Sequence, residues 1–210
     1  MKVEMWLDFV CPFCYLGKAK FEKALENFSG KENVEIIYKS FELNPNASKV
    51  YTGTISELIS KEYGITIEEA EENNNRLTDE AKELGLVYRL DKAIPVNTLY
   101  AHRLLQYSKE IGKEPKIVSL IFKAYFTDSK NISDIDTLVK ISKEAGLEEE
   151  VVRKILNSNK YTDRVQEDEK KSQDIGIDVV PYFVIDGKFT VAGAQSIETI
   201  RMGLENALIK

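Results

Sequence analysis

The feature that most constrains this chain is the segment Cys11-Pro12-Phe13-Cys14, which stands where a strand pattern gives way to a helix pattern. Apolar and polar side chains alternate from Lys2 to Phe9, which predicts a β-strand. From Pro12 onwards the apolar residues recur at helical intervals. Cys11 is therefore predicted at or next to the N-cap of a helix, and Pro12 at its first position, where a missing N–H is no loss.

This placement indicates redox chemistry at the only two cysteines among the 210 residues. The free amides and the dipole at a helix N-terminus favour an anion at Cys11, which is predicted to be the nucleophile. Cys14 lies one turn further, where its sulfur can pair with Cys11 or resolve a mixed disulfide. A structural disulfide, half a zinc site and two inert thiols are the alternatives. A disulfide that closes so small a loop stabilises a fold very little. Zinc requires four ligands, and His102 is the only histidine. A redox pair is therefore favoured.

Composition narrows the class of partner. The net charge is −6, and the basic residues are scattered among acids without a basic stripe, which argues against nucleic acid as a partner. No apolar run approaches the length of a membrane span, so no membrane partner is expected. The N-terminus lacks the pattern of a signal peptide, so we expect a cytoplasmic protein, in which a lone CxxC is more often catalytic than structural.

The order of predicted elements indicates an α/β fold. A second strand, Val34 to Phe41, follows the first helix, and strand–helix–strand implies a right-handed βαβ unit with parallel strands. Two short strands, Tyr182 to Asp186 and Lys188 to Ala192, form a hairpin around Asp186-Gly187, and a last helix runs from Ile197 to Leu208. We therefore predict a thioredoxin fold (βαβ…ββα) interrupted by a large all-helical insertion domain. The predicted boundaries are 1–45 with 177–210 for the thioredoxin-like domain and 46–176 for the insertion.

The insertion is helical in period almost throughout. Glycines stand at positions expected for helix ends, and the stretch from Ile117 to Phe126 is apolar on nearly all sides, so it is predicted to be the buried centre of the insertion. The triplet Asn73-Asn74-Asn75 lies in a segment with few apolar residues. The predicted helices are Ile55 to Tyr63, Ile67 to Leu84, Thr98 to Ile111, Lys116 to Phe126, Ile135 to Ala145, Glu148 to Leu156 and Tyr161 to Ile175.

Val180-Pro181 stands immediately before the first strand of the hairpin. A proline at the start of a strand often has only a local structural role, at a sheet edge or in a turn. In a thioredoxin-like sheet, however, this is the place where a cis proline faces the CxxC. The backbone polar groups of Val180 are then left for an extended substrate, so Pro181 and Val180 are predicted to shape the docking surface.

Taken together, these motifs resemble the FrnE-type branch of the DsbA family along nearly the full chain. The resemblance implies a thioredoxin fold with a helical insertion, disulfide oxidoreductase activity and, in many members, a cytoplasmic setting. Two residues depart from the pattern: Phe13 stands where the family often has Trp, and Val179 where Gly commonly precedes the Val-Pro pair, which leaves the direction of electron flow open. The segments that carry the resemblance are Asp8 to Gly17, Phe41 to Pro45, Asn97 to Leu104, Val180 to Phe183 and Gly193 to Gln195.

Related families leave an alternative function open. Glutathione-dependent hydroxychromene carboxylate isomerases and kappa-class glutathione transferases resemble the chain in architecture but carry a serine near the position of Cys11. The intact Cys11/Cys14 pair favours dithiol exchange with a thiol- or disulfide-containing protein or peptide, although glutathione remains a possible substrate. A redox-switched binding protein is a third hypothesis. No cofactor and no metal are predicted.

Three further residues are candidate supports for the site. Asp8 is placed to relay a proton from Cys14, or else to be a hydrogen-bonded residue at the strand end. His102 is placed to overhang the thiolate, or else to pack inside its helix layer. Gln195 is placed to bind a peptide or glutathione backbone, or else to belong to the cap of the last helix, where Ser196 is the better cap.

Overall fold

The fold is that of a computed structural model, which describes residues 1–48 and 52–208. The strands are β1 (Lys2–Leu7), β2 (Glu35–Ser40), β3 (Tyr182–Ile185) and β4 (Phe189–Ala192). The α-helices of the described residues are α1 (Pro12–Glu26), α2 (Ile55–Tyr63), α3 (Ile67–Glu83), α4 (Leu99–Glu110), α5 (Glu114–Phe126), α6 (Ile135–Glu144), α7 (Glu149–Leu156), α8 (Thr162–Asp174) and α9 (Ile197–Leu208). A 3₁₀ turn, Lys31–Asn33, precedes β2. Each predicted helix and strand is present, with ends that differ by at most two residues.

The four strands form one mixed sheet in the order β2-β1-β3-β4. Strand β1 runs parallel to β2 and antiparallel to β3, so that Met5 pairs with Tyr38 on one side and with Phe183 on the other. The parallel pair is joined through α1, which confirms the predicted βαβ unit. β3 and β4 form the predicted hairpin, with Asp186 and Gly187 at φ 48° and 68° in its turn. This topology, with α9 at its end, is a thioredoxin fold.

Helices cover the sheet on both faces. On one face Phe21 of α1 stacks on Phe183 of β3, with ring centroids 5.4 Å apart. On the other face the Trp6 indole N–H of β1 donates to the Asp168 carbonyl of α8 at 3.3 Å. Both faces of β1 are therefore buried, which fixes the position of the residues that follow its C-terminal end.

The chain divides into two compact units, residues 1–43 with 163–210 (the sheet unit) and residues 44–162 (the helical unit). The main difference from the predicted boundaries is α8, which belongs to the sheet unit although it precedes residue 177. The reason is a set of polar contacts to the strands: the Asp168 carboxylate accepts from Lys39 Nζ at 2.7 Å and from the Ser40 N–H at 3.0 Å. In chain order, α2 to α8 all lie between β2 and β3.

The centre of the helical unit is α5, as predicted, because Ile117, Val118, Ile121 and Phe122 are fully buried. Phe126, at its end, stacks on Tyr88 with centroids 5.0 Å apart. Among the described residues, no helix is both long enough and apolar enough to cross a membrane. The predicted glycine stops all have φ between 63° and 79°, and they are Gly64, Gly85, Gly112, Gly146 and Gly176.

Candidate active site

The candidate site begins at Cys11, which is the N-cap of α1, with Pro12 at the start of the helix as predicted. The chain enters the helix through a tight turn, in which the Cys11 N–H donates to the Asp8 carbonyl at 3.2 Å and the Cys14 N–H to the Cys11 carbonyl at 3.0 Å. The Cys11 sulfur is thus held at the N-terminus of a 15-residue helix, which is the positive end of the helix dipole.

Cys11 faces the segment that precedes β3. Its Sγ donates to the Val180 carbonyl at 3.6 Å, and the Val180–Pro181 peptide bond is cis. The Pro181 carbonyl accepts from the Gly193 N–H at 2.8 Å, which ties the segment to the end of β4. Fold and hydrogen bonds therefore bring together the Cys11 thiol and the Val-Pro pair, which lie 169 residues apart in sequence.

Cys14 is fully buried, one turn into α1. Both cysteines are free thiols, and Cys14 Sγ accepts a hydrogen bond from the Asp8 N–H at 3.4 Å. Burial raises the pKa of the Cys14 thiol well above its usual value, and the adjacent Cys11 side chain and the Asp8 carboxylate add to this rise. The Asp8 N–H acts in the opposite direction because it donates to the sulfur. Cys14 is consequently a protonated thiol at neutral pH.

Asp8 lies beside Cys14, as its spacing from Cys11 predicted. It is only 1% exposed, and its Oδ2 accepts from the Leu43 N–H at 2.8 Å. The residue therefore contacts the sulfur through its main chain and holds a buried carboxylate next to a thiol whose pKa is raised. A carboxyl group in this position is chemically able to exchange a proton with the neighbouring thiol.

Gly17 is a residue of the site that the sequence reasoning left without a role. A Cβ at this position would lie 2.5 Å from Pro181 Cγ, so a glycine is required for α1 to approach the proline this closely. The sequence did carry a sign of this role. Glycine in a helix interior costs about 1 kcal/mol relative to alanine, so a glycine inside α1 indicates that something requires it there.

Apolar side chains lie exposed beside the buried Cys11 sulfur. Phe13, within the CxxC, is 46% exposed, and Val179, next to Val180, is 42% exposed. Val179 and Val180 donate no main-chain hydrogen bond within the described parts of the chain.

Gln195 and His102 are two further residues that the sequence predicts as supports for the site. Gln195 is exposed, and its amide Nε2 donates within its own loop to the Ala192 carbonyl at 2.8 Å. The cap of α9 is Ser196, whose Oγ accepts from the Thr199 N–H at 3.1 Å. His102 is fully buried on α4 of the helical unit. The roles of Gln195 and His102 stay predictions.

The described residues contain no cluster of three or more His, Cys, Asp or Glu side chains that could hold a metal ion. The site itself presents three reactive groups: a thiol at a helix N-terminus, a buried second thiol and a buried carboxylate. These groups on this sheet define a thioredoxin-fold protein with a dithiol pair.

Comparison with known proteins identifies the family. The DSBA-like thioredoxin domain matches residues 2–205, and the chain belongs to this family. The uncharacterised protein YwbO of Bacillus subtilis is 30% identical over 206 residues, covering 97% of this chain and 96% of YwbO.

Solved structures agree with this assignment. A probable DsbA oxidoreductase from Streptomyces coelicolor has a TM-score of 0.96 and 35% identity, and the match covers 100% of this chain and 91% of that protein. A 2-hydroxychromene-2-carboxylate isomerase has a TM-score of 0.70 and 17% identity, with full coverage of both chains. The second likeness concerns the fold alone, so the architecture by itself does not separate dithiol exchange from isomerisation.

Proposed function

We propose that the protein is a thiol–disulfide oxidoreductase of the FrnE type that acts through Cys11 and Cys14 on the thiols or disulfides of proteins, peptides or small molecules, in the cytoplasm. The observation that carries the proposal is the placement of Cys11 Sγ, at the N-cap of α1 and 3.6 Å from the Val180 carbonyl. The second thiol lies one helical turn behind it, within the same sheet unit.

In the reducing direction, the Cys11 thiolate attacks one sulfur of a substrate disulfide. A Cys11–substrate disulfide forms, and the other substrate sulfur leaves as a thiolate. Cys14 then loses its proton and attacks Cys11 Sγ, which forms the Cys11–Cys14 disulfide and releases the first substrate sulfur. In the oxidising direction the same steps run backwards: a substrate thiolate attacks Cys11 of the disulfide, and Cys14 leaves and takes up a proton.

Asp8 is the proposed proton acceptor and donor for Cys14. Because the Cys14 pKa is raised, the thiol needs a base before it can attack, and the Asp8 carboxylate is buried beside it. The Asp8 Oδ2 also accepts from the Leu43 N–H at 2.8 Å, which holds the side chain in place. In this proposal the Asp8 side chain accepts the proton when Cys14 attacks and returns it when Cys14 leaves.

Substrate docking is proposed to use the main chain before Pro181. The Val180 N–H donates to no group of the described chain, so it can donate to an extended segment that carries the reacting sulfur. Phe13 and Val179 then offer apolar contacts on either side of that sulfur. We retain Gln195 as a proposed contact for the substrate backbone and His102 as a proposed neighbour of the thiolate.

The first test is the reduction potential of the Cys11–Cys14 disulfide. The protein is equilibrated in glutathione or dithiothreitol buffers of known potential, and the thiols are trapped by alkylation. A value near about −120 to −180 mV identifies an oxidant or isomerase, and one near about −270 mV a thioredoxin-like reductant. Failure to form a reversible disulfide at any potential would overturn the dithiol mechanism and favour the glutathione-dependent alternative.

A second test uses the two cysteines as matched controls for each other. Cys14→Ser is expected to accumulate a stable mixed disulfide with a substrate peptide, because Cys11 can still attack but nothing resolves the adduct. Cys11→Ser is expected to form none, because Cys14 is fully buried and its raised pKa keeps it a protonated thiol. Mass spectrometry reads both results unambiguously, since the chain has no other cysteine. Wild-type exchange by Cys11→Ser would refute the assignment of the nucleophile.

A further inference from the structure

The asparagine triplet Asn73-Asn74-Asn75 has no part in the dithiol site, and it lies in the middle of α3. Asparagine is a weak helix former because its side chain competes for backbone hydrogen bonds. Asn74 is nevertheless 94% buried, on a helix that packs against α2 within the helical unit. A buried amide at this position needs partners for its polar atoms.

Asn74 has one partner and one unused acceptor. Its Nδ2 donates to Ser56 Oγ of α2 at 3.2 Å. Its Oδ1 accepts no hydrogen bond from the residues that the structure describes. The amide is therefore fixed in orientation by Ser56 and keeps an acceptor available for a group from outside.

Asn74 and Ser56 line a cavity of about 390 Å³. The buried part of its lining also includes the ring of Tyr88 and the side chain of Leu90, which are 5% and 3% exposed. A concave site of this size with a partly apolar floor and a few fixed polar groups is typical of sites for small molecules.

The charged side chains among the described residues of the lining are all acidic. Glu71 of α3 and Asp91 belong to the lining and are exposed, so they stand at the rim of the cavity. Neither forms an ion pair with another described residue, and the described residues of the lining include no lysine, arginine or histidine. The site therefore offers two carboxylates and an amide oxygen, which are hydrogen-bond acceptors, and repels anions.

We propose that this cavity is a binding site for a small organic cation that carries primary amines. One ammonium group pairs with the Glu71 and Asp91 carboxylates at the rim and a second donates to Asn74 Oδ1 at the floor, while the alkyl stem between them lies against Tyr88 and Leu90. The binding is non-covalent and uses none of the groups proposed for thiol exchange.

The test uses calorimetric titration of the full-length protein with putrescine. Saturable binding of one molecule per chain is expected, whereas 1,4-butanediol, of the same length but uncharged, and succinate, of opposite charge, are not expected to bind. Glu71→Gln combined with Asp91→Asn is expected to weaken binding at least tenfold. Asn74→Leu is expected to weaken it without a change in charge. Glu72→Gln, on the same helix but outside the lining, is the matched control and is expected to leave the affinity unchanged.

Two results would overturn the proposal. One is the absence of saturable putrescine binding in a protein shown by circular dichroism to be folded. The other is binding of several molecules per chain that the Glu71→Gln/Asp91→Asn variant retains, which identifies counterion binding to an acidic surface. The Cys11→Ser variant is expected to bind putrescine as wild type does, so this test succeeds or fails independently of the proposed thiol chemistry.

Discussion

Asp8 and Asp168 are two buried carboxylates of the sheet unit, 1% and 6% exposed, and they differ in the groups beside them. Asp168 accepts from the Lys39 ammonium at 2.7 Å, so its negative charge is balanced by a fixed cation. Asp8 lies beside the Cys14 thiol, which can gain or lose a proton. Two similarly buried carboxylates therefore differ in what they can do. Asp168 with Lys39 anchors a helix, and Asp8 beside Cys14 is suited to proton transfer.

The two aspartates hold the same part of the chain. Asp168 accepts from the Ser40 N–H at the end of β2, and Asp8 accepts from the Leu43 N–H just beyond it. Asp168 thereby satisfies a buried main-chain donor, and Asp8 satisfies one that is partly buried. The exit of β2 is thus fixed from α8 on one side and from the candidate site on the other.

The largest expected effect is on stability, through Asp168→Ala. The substitution leaves the Lys39 ammonium and the Ser40 N–H without their buried acceptor, so we expect the free energy of unfolding to fall by about 3 kcal/mol. Urea denaturation measures this loss. Asp174→Asn, at the exposed end of the same helix, is the control and should change the value by less than about 0.5 kcal/mol. A loss below about 1 kcal/mol for Asp168→Ala would show that α8 is not anchored through this pair.

The next effect is on catalysis, through Asp8→Asn. We expect the rate at which Cys14 resolves a mixed disulfide to fall about 10²-fold at pH 7, because the proton acceptor is lost. Rapid-quench measurement on a preformed Cys11–peptide disulfide separates this step from the attack by Cys11, which should change little.

Whether Asp8→Asn slows or speeds the attack by Cys14 distinguishes proton transfer from an effect of charge alone. The Asp8 carboxylate raises the Cys14 pKa, so removal of its charge alone would lower that pKa and speed resolution. A slower reaction therefore identifies proton transfer, and an unchanged or faster one would refute it. Asp178→Asn removes an exposed acid near Val180 and serves as the control for charge.

A smaller effect is expected from Gly17→Ala. The added methyl would lie 2.5 Å from Pro181 Cγ and must displace the proline or the helix, which costs about 1 to 3 kcal/mol. Gly203→Ala is the matched control, because its methyl would meet the flexible end of Ile185 at 3.1 Å and should cost less. Thermal unfolding and exchange activity of both variants test whether the proline is held by this contact; equal losses would contradict it.

The smallest effect is a pH dependence of stability in the reduced protein. The folded-state pKa of Cys14 is raised, so its contribution is fully present below the unfolded thiol pKa of about 8.5 and is lost as the pH rises through the folded value. The stability difference between wild type and Cys14→Ala should therefore change by at most about 1.4 kcal/mol per pH unit above pH 8.5, to the disadvantage of wild type. A difference that is constant with pH would show that Cys14 titrates normally.

Local patterns in the sequence predicted most of this fold. Alternation marked β1, the change of period at Pro12 marked α1, and the Asp186-Gly187 turn marked the hairpin, because each signal lies within a few neighbouring residues. The Cys11 N-cap and the proximity of Asp8 to Cys14 followed from spacing along one strand and one helix.

Contacts between distant segments could not be predicted in the same way. The attachment of α8 to the sheet depends on Asp168 meeting Ser40, which is 128 residues away, and nothing in the polar pattern of α8 distinguishes that aspartate from its neighbours. The role of Gly17 likewise depends on Pro181, and a helix glycine shows only that something lies close, not what it is.

The contact between Gly17 and Pro181 also limits how this chemistry can be transplanted. A protein engineer who grafts Cys11-Pro12-Phe13-Cys14 onto another helix transfers the sulfurs but not the space that the proline loop occupies. Any side chain six positions after the first cysteine would keep that loop at a distance, and the Val180 carbonyl would no longer reach Cys11. The unit that must be transplanted is therefore the helix start from Cys11 to Gly17 together with Val180-Pro181.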